Sequence, residues 1–250
     1  MRVVWRVVLR GAAVACLALA SSACGLFDAP PPLPTAVPAN VNILVNAGFE
    51  AGPEPWVASS GADFQSAPVV ISDVAPHGGK HALELKLAGG GAEGDTQAGV
   101  VTQATNPHEF PEFVSGFYRV DDWQPRAQFR YLYVSVTVAG GDFPGGARFH
   151  ELRILVGAPT EPPLLPNLTF AFLRRDPPVL HHWTYFGFPL KTTFQSHFAY
   201  LPPHWDAIYI TVGVRSDLSD ASRTSGSADV VFDDLYAGTQ ADNPNRPPDP

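Results

Sequence analysis

The stretch FRYLYVSVTV, Phe129 to Val138, decides the fold. Leu132, Val134, Val136 and Val138 share one side of an extended chain, and Tyr131, Tyr133, Ser135 and Thr137 share the other. Successive side chains of a strand point to opposite faces. This period of two therefore predicts a strand with an aliphatic face in a core and an aromatic, hydroxyl-bearing face outside it. The same period recurs along the chain. Leu83, Leu85 and Leu87 alternate with Glu84 and Lys86; Leu152, Ile154 and Val156 form a second series; Phe170 and Phe172 flank Ala171. Ile208, Ile210, Val212 and Val214 alternate with Tyr209, Thr211 and Arg215, and Asp229–Tyr236 (DVVFDDLY) is the last such run. No window carries a helical stripe. Strands without a βαβ rhythm, in a 250-residue chain with 26 prolines and 22 glycines, predict an all-β antiparallel β-sandwich.

The ends of the chain read differently. Arg2, Arg6 and Arg10 precede the apolar run GAAVACLALA, residues 11–20, and then Ser21-Ser22-Ala23-Cys24-Gly25. A basic start, a short apolar core and small residues before a cut describe a signal peptide over residues 1–23. The run is too short to span a bilayer comfortably. Small residues followed by Cys24-Gly25 resemble the lipobox of bacterial lipoproteins, although Ser21 stands where leucine is usual. That resemblance implies lipidation of Cys24, a membrane held through the lipid, and a place in the cell envelope; secretion is the alternative. Residues 24–40, with Pro30, Pro31, Pro32, Pro34 and Pro38, read as an extended tether. The folded domain is expected over residues 41–238, and residues 239–250 as a disordered tail.

Composition narrows the function. The two cysteines, Cys16 and Cys24, both lie in the first 24 residues, so the expected domain has no disulfide and no thiol chemistry. Acidic residues outnumber basic ones 24 to 16, and three of the basic ones belong to the leader. An acidic surface repels phosphate backbones, which argues against a nucleic-acid partner.

A second stretch, LVNAGFEAGPEPW from Leu44 to Trp56, sets Glu50 between Phe49 and Trp56, poor surroundings for an ordinary surface charge. Together with His77-Gly78-Gly79-Lys80-His81-Ala82-Leu83 and Val231-Phe232-Asp233-Asp234-Leu235, it resembles galactose-binding-like jelly rolls, among them family 4/9 and family 22 type carbohydrate-binding modules. The three marks stand in the expected order, near the start, in the first third and at the end. Residues 100–205 match no motif and read as a long insert. The resemblance implies a jelly-roll β-sandwich whose first and last strands lie together beside a structural calcium. Glu50, Asp233 and Asp234 are then the side-chain ligands, and Lys80 or a neighbour supplies a carbonyl, matching calcium's preference for hard oxygens. Strand alternation places Asp233 on the face of Val231 and Leu235, where an inward carboxylate needs a partner. The alternative is that Glu50 accepts N–H bonds from a loop and no metal binds.

The resemblance also implies carbohydrate as ligand. Aromatic faces suit sugar rings, and placed polar groups suit their hydroxyls. The candidates are Tyr131 and Tyr133 on their shared face, Trp123 in an expected loop after Asp121-Asp122, Trp183 after His181-His182, and Trp205 after Pro202-Pro203-His204. Trp56 is expected in the core. Aromatic residues also fill sandwich cores, so each of the five has that alternative. Catalysis has less support. His181 and His182, if on a strand, point to opposite faces. No nucleophile elbow or phosphate loop occurs, and Glu109, Glu112, Asp121 and Asp122 have no spacing that fixes a glycosidase pair. The reading is a non-catalytic ligand-binding module, with a structural or protein-interaction module as the rival and a polysaccharide hydrolase behind both.

Overall fold

The computed structural model describes residues 42–58, 65–66, 69–87, 96–124, 129–157, 167–217 and 227–239. The expected signal peptide, Cys24, the proline-rich tether and all but the first residue of the expected tail lie outside them. In chain order the elements are β1 (Val57–Ala58), β2 (Gln65–Ser66), β3 (Val69–Ser72), β4 (Ala82–Leu87), β5 (Thr96–Thr105), β6 (Phe113–Trp123), β7 (Phe129–Ala139), β8 (Phe149–Gly157), β9 (Leu168–Phe172), β10 (Thr184–Phe188), α1 (Leu190–Phe198), β11 (Ala207–Asp217) and β12 (Ala228–Gly238). One sheet runs β1-β5-β11-β7-β8-β9, with β2 on β5; the other runs β10-β6-β12-β4-β3. Pairing is antiparallel except at β2–β5 and β8–β9. The chain changes sheet at β2–β3, β4–β5, β5–β6, β6–β7, β9–β10, β10–β11 and β11–β12. This is the wrapping of a jelly-roll sandwich. Among the described residues no helix is long and apolar enough to cross a membrane.

The alternation read from the sequence is what closes the two sheets on each other. Leu132, Val134, Val136 and Val138 of β7, the even-numbered residues Ile208 to Val214 of β11, and Leu152, Ile154 and Val156 of β8 come from one sheet. They meet Leu83, Leu85 and Leu87 of β4, Tyr118 and Val120 of β6, and Val230 and Phe232 of β12 in one core. Burying each large apolar side chain contributes about 1.5–3 kcal/mol. Residues 100–205, expected as an insert, carry β6 to β10 and most of β5. They supply β6 and β10 to one sheet and β7, β8, β9 and most of β5 to the other, and they lacked a readable motif because the requirement at these positions is only apolar alternation.

Two local expectations are corrected. Residues 42–56, expected to open with a strand, form bends and turns. They are laced to β12 by the Ile43 N–H to the Ala237 carbonyl (2.8 Å) and the Leu235 N–H to the Ala47 carbonyl (3.0 Å). Asn42 accepts from the Ala237 N–H and donates to the Leu235 carbonyl. Positive φ at Asn46 and Phe49 is what prevents a regular ladder. Trp56 does pack in the core, its ring 5.5 Å from Phe49. The second correction is α1. Leu190, Phe194 and Phe198 stand four apart on one face and cap an end of the core. Three apolar residues over nine leave too short a stripe to stand out among strands.

That end of the core holds a histidine. His150 lies between the rings of Phe143 and Phe198, each 4.4 Å from it, and its Nδ1 is buried without a hydrogen-bond partner. Burial holds its pKa below the usual 6.5. The unfolded chain therefore takes up this proton first, and stability is lost as pH falls through about 6.5. His150→Phe is expected to melt increasingly above the wild type as pH drops from 7 to 5. A difference in melting temperature that stays constant over that range removes the effect.

Candidate functional site

The carboxylates singled out from the sequence meet at one loop. β12 carries a register shift between Asp233 and Tyr236, with Asp234 at φ 47°. This bulge reverses the alternation. Asp233 keeps the face of Val231 as alternation requires, but that face lies outside the core and not in it as expected, and Leu235 leaves it to join Phe232 in the core. Asp233 is nevertheless fully buried, because residues 77–81 fold over it. Its Oδ2 accepts from the N–H groups of His77 (2.8 Å) and Gly78 (3.0 Å), and its Oδ1 from Asp234 N–H (2.7 Å). Three residues along the loop, Glu50 Oε1 accepts from Lys80 N–H (2.8 Å) and His81 N–H (3.0 Å). Asp234 Oδ2 meets His77 Nδ1 at 2.7 Å. The loop can lie this close because Gly79, at φ +59°, takes a conformation that favours glycine, and a Cβ there would collide with Glu50.

The cluster is electrostatically costly. Burial, and then the adjacent Asp234 charge, push Asp233 up to about 6 against peptide N–H bonds that pull it down. Glu50, on the open side, is lowered by the Lys80 and His81 N–H groups. Three carboxylates are the donor chemistry of a hard cation. Among the described residues, however, no three His, Cys, Asp or Glu side chains converge as a cage, and Lys80 offers the cluster its N–H.

The five aromatic candidates do not form one site. Trp123 ends β6 instead of lying in a loop, belongs to the core, and sits 5.6 Å from the Arg130 guanidinium. Trp205 packs on the core edge-on to Phe110. Trp183 is half-buried beside the five-stranded sheet, 5.4 Å from the His77 ring and 5.7 Å from Arg119, which is paired with Asp121. Tyr131 and Tyr133 occupy the outer face of the other sheet, as their alternation requires, but are only 2% and 3% exposed.

That outer face of the seven-stranded sheet is built in cross-strand rows. Ala104, Tyr209, Thr137 and Glu151 stand in register across β5, β11, β7 and β8. The next row is Thr102, Thr211, Ser135 and Arg153, and the third is Val100, Gly213, Tyr133 and Leu155. Thr102 and Thr211 share a hydroxyl–hydroxyl bond of 2.9 Å. Arg153 donates from Nε and Nη2 to Glu151 Oε1 (2.9 and 2.6 Å) and from Nη1 to the Tyr131 hydroxyl (3.0 Å), with its guanidinium 4.5 Å from the Tyr133 ring. Burial raises the Tyr133 phenol well above its usual range, so it stays a neutral hydroxyl. Phe170 and Phe172 of β9 pack against these tyrosines.

Sequence reasoning did not single out Tyr209, Thr211, Glu151 or Arg153. The signal for the first two was present, since Tyr209 and Thr211 alternate with Ile208 and Ile210 as Tyr131 and Tyr133 do with Leu132 and Val134. Which strands are neighbours, and hence which rows form, is not carried by any one strand.

The architecture is that of a β-sandwich with jelly-roll wrapping and a polar, aromatic outer sheet face. No protein-family model matches the chain, and no curated protein matches it. Among solved structures it is similar to TmCBM61, determined with β-1,4-galactotriose, at 14% identity and a TM-score of 0.44 over 80% of this chain and all of that one. It is similar to a carbohydrate-binding module of the β-sandwich superfamily (11%, TM-score 0.47, 81% of this chain and 64% of that one). A third is the C-terminal family 22 module of Clostridium thermocellum Xyn10B (15%, TM-score 0.43, 80% and 94%).

Proposed function

We propose that the protein binds carbohydrate without turning it over, on the outer face of the seven-stranded sheet. The observation that carries this reading is the partly exposed row Ala104–Tyr209–Thr137–Glu151, with the partly exposed Thr102 beside it in the next row. Hydroxyls of Thr and Ser both donate and accept, as sugar hydroxyls do, and aromatic rings give flat apolar contact. Glu151 matches the Arg153 charge, so the face suits a neutral sugar. A glycan array followed by calorimetry on the hits tests the reading. Tyr209→Ala is expected to weaken binding about tenfold, the order of one well-placed aromatic contact, with an unchanged melting curve. Absence of binding to every glycan, or release of reducing sugar from one, overturns it.

Two further parts belong to the same proposal. A structural calcium at the carboxylate cluster would be held by Glu50, Asp233 and Asp234 and would offset their mutual repulsion, with the remaining oxygens from carbonyls. Cys24 is proposed as the lipidated residue that anchors the domain to the cell envelope through residues 24–40. Cys24→Ala is then expected to move the protein from the detergent-rich to the aqueous phase on phase separation; equal partitioning of both forms removes the anchor. A protein-interaction module is the second reading, favoured by exposed Val74, Val179 and Leu180 in the segments around Arg119, whose guanidinium holds the Ala75 carbonyl and faces Trp183.

A further inference from the structure

We infer that Phe149 is a second sugar platform beside Tyr209, and that the two rings hold a stretch of three glycan units laid diagonally across β7; this rests on the carbohydrate reading above. The ground is where the outer face of the seven-stranded sheet is open. In the row of Thr211, Ser135 and Arg153 these side chains are 8%, 1% and 7% exposed, and in the next Val100, Tyr133 and Leu155 are at 7%, 3% and 0%. A ligand therefore meets the face on the other side of Tyr209, toward the β7–β8 hairpin. There Ala104, Tyr209, Thr137 and Glu151 are partly exposed, and so are Ala139 and Phe149 of the adjoining row.

Phe149 belongs to this face by alternation. Its neighbour His150 pairs with Val138 and turns inward between Phe143 and Phe198, so Phe149 points the other way, as Glu151 does. It pairs with Ala139 and joins neither apolar cluster of the domain. An aromatic side chain outside the core, with part of its surface open to solvent, offers the flat apolar contact that a sugar ring uses.

The register sets the spacing of the two rings. Tyr209 pairs with Thr137 on β7, and Phe149 on β8 pairs with Ala139, so they stand two strands and one row apart. Strands lie about 4.8 Å apart and one row is about 7 Å along the strand, which separates the two Cα atoms by about 12 Å on the diagonal. A pyranose unit, built from bonds of about 1.5 Å, spans about 5 Å between its glycosidic oxygens. The two rings thus lie under units n and n+2 of a chain. β7 between them carries only the short side chains of Thr137 and Ala139, which leave the diagonal clear. The Thr137 hydroxyl donates or accepts at the middle unit. Both Arg153 bonds to Glu151 end on Oε1, and Oε2 is the acceptor for a sugar hydroxyl beside Phe149.

Calorimetric titration of the wild type, Phe149→Ala and Phe149→Tyr with β-1,4-linked xylo-, cello- and galacto-oligosaccharides of two to five units tests this. For whichever series binds, the wild-type Kd is expected to tighten about tenfold from the disaccharide to the trisaccharide, the order of one added aromatic contact. From the trisaccharide to the pentasaccharide it should change less than about threefold. Phe149→Ala is expected to lose the step, binding the trisaccharide about as the wild type binds the disaccharide, and Phe149→Tyr to keep it. A wild type without the step, or a step that survives in Phe149→Ala, overturns the second platform and leaves the carbohydrate reading standing. The wild-type series decides the spacing even if Phe149→Ala does not fold. No binding by any series overturns both readings.

Discussion

Asp233→Ala is expected to lower the melting temperature by about 6–12 °C. The carboxylate is fully buried and accepts the N–H groups of His77, Gly78 and Asp234. Without it three peptide donors lose their acceptor, each costing about 1 kcal/mol or more. In a domain of this size each kcal/mol moves the midpoint by about 2–4 °C. The loss should also depend on pH. The folded-state pKa of Asp233, raised to about 6 by burial and Asp234, lies above its unfolded value of 3.8. Its protonation thus adds stability that is complete below 3.8 and lost as pH rises through 6. The gap between wild type and variant should widen as pH falls from 7 to 4. Calorimetric melts across that range measure both effects, and a variant within 2 °C of wild type at pH 7 would show that the loop does not depend on this carboxylate. Repeating the melts in millimolar calcium and in chelator separates the ion from the clamp. Calcium is expected to raise the wild-type midpoint and not that of the variant; a wild type that does not respond removes calcium and leaves the hydrogen bonds.

Glu151→Ala is expected to be comparably severe for a different reason. The guanidinium of Arg153 is held by Glu151 through two donors, with only 9% of its side chain exposed. Taking away one partner of a buried ion pair typically costs about 3–5 kcal/mol, because the other charge stays buried and unmatched. Tyr131 still accepts one of its N–H bonds and Tyr133 still offers a ring face, so a value near the lower end is expected. Urea denaturation measures it as a fall in midpoint at constant slope. The double variant Glu151→Ala, Arg153→Met should recover much of the loss, since replacing a buried pair with apolar groups is often neutral. It should nonetheless bind glycan more weakly, because the partly exposed row has lost the Glu151 carboxylate. A single variant as stable as wild type would mean that Arg153 draws its stability from elsewhere on the sheet.

Much of the architecture follows from local chemistry. The period of two in Leu132–Val138 and Ile208–Val214 defines which side chains enter the core before any neighbour is known, because a strand offers its residues only two faces. Glu50, His77–His81 and Asp233 were legible as a set through the resemblance of their three stretches to galactose-binding-like jelly rolls. Their mode of contact was not. The bulge at Asp234 and the side from which the loop presents its N–H groups depend on how β12 meets residues 42–56, some 190 positions away in the chain.

Sequence alone determined that this protein is a two-faced β structure and that Tyr131, Tyr133, Tyr209 and Thr211 point away from its core. Tertiary structure decided which of them stand side by side. It set Thr211 between Thr102 and Ser135, laid Tyr133 over Gly213, and sent Trp123 and Trp205 to the core and Trp183 to the other sheet. The physical reason is that alternation is a property of one strand, whereas a row across a sheet exists only once the register between strands is set.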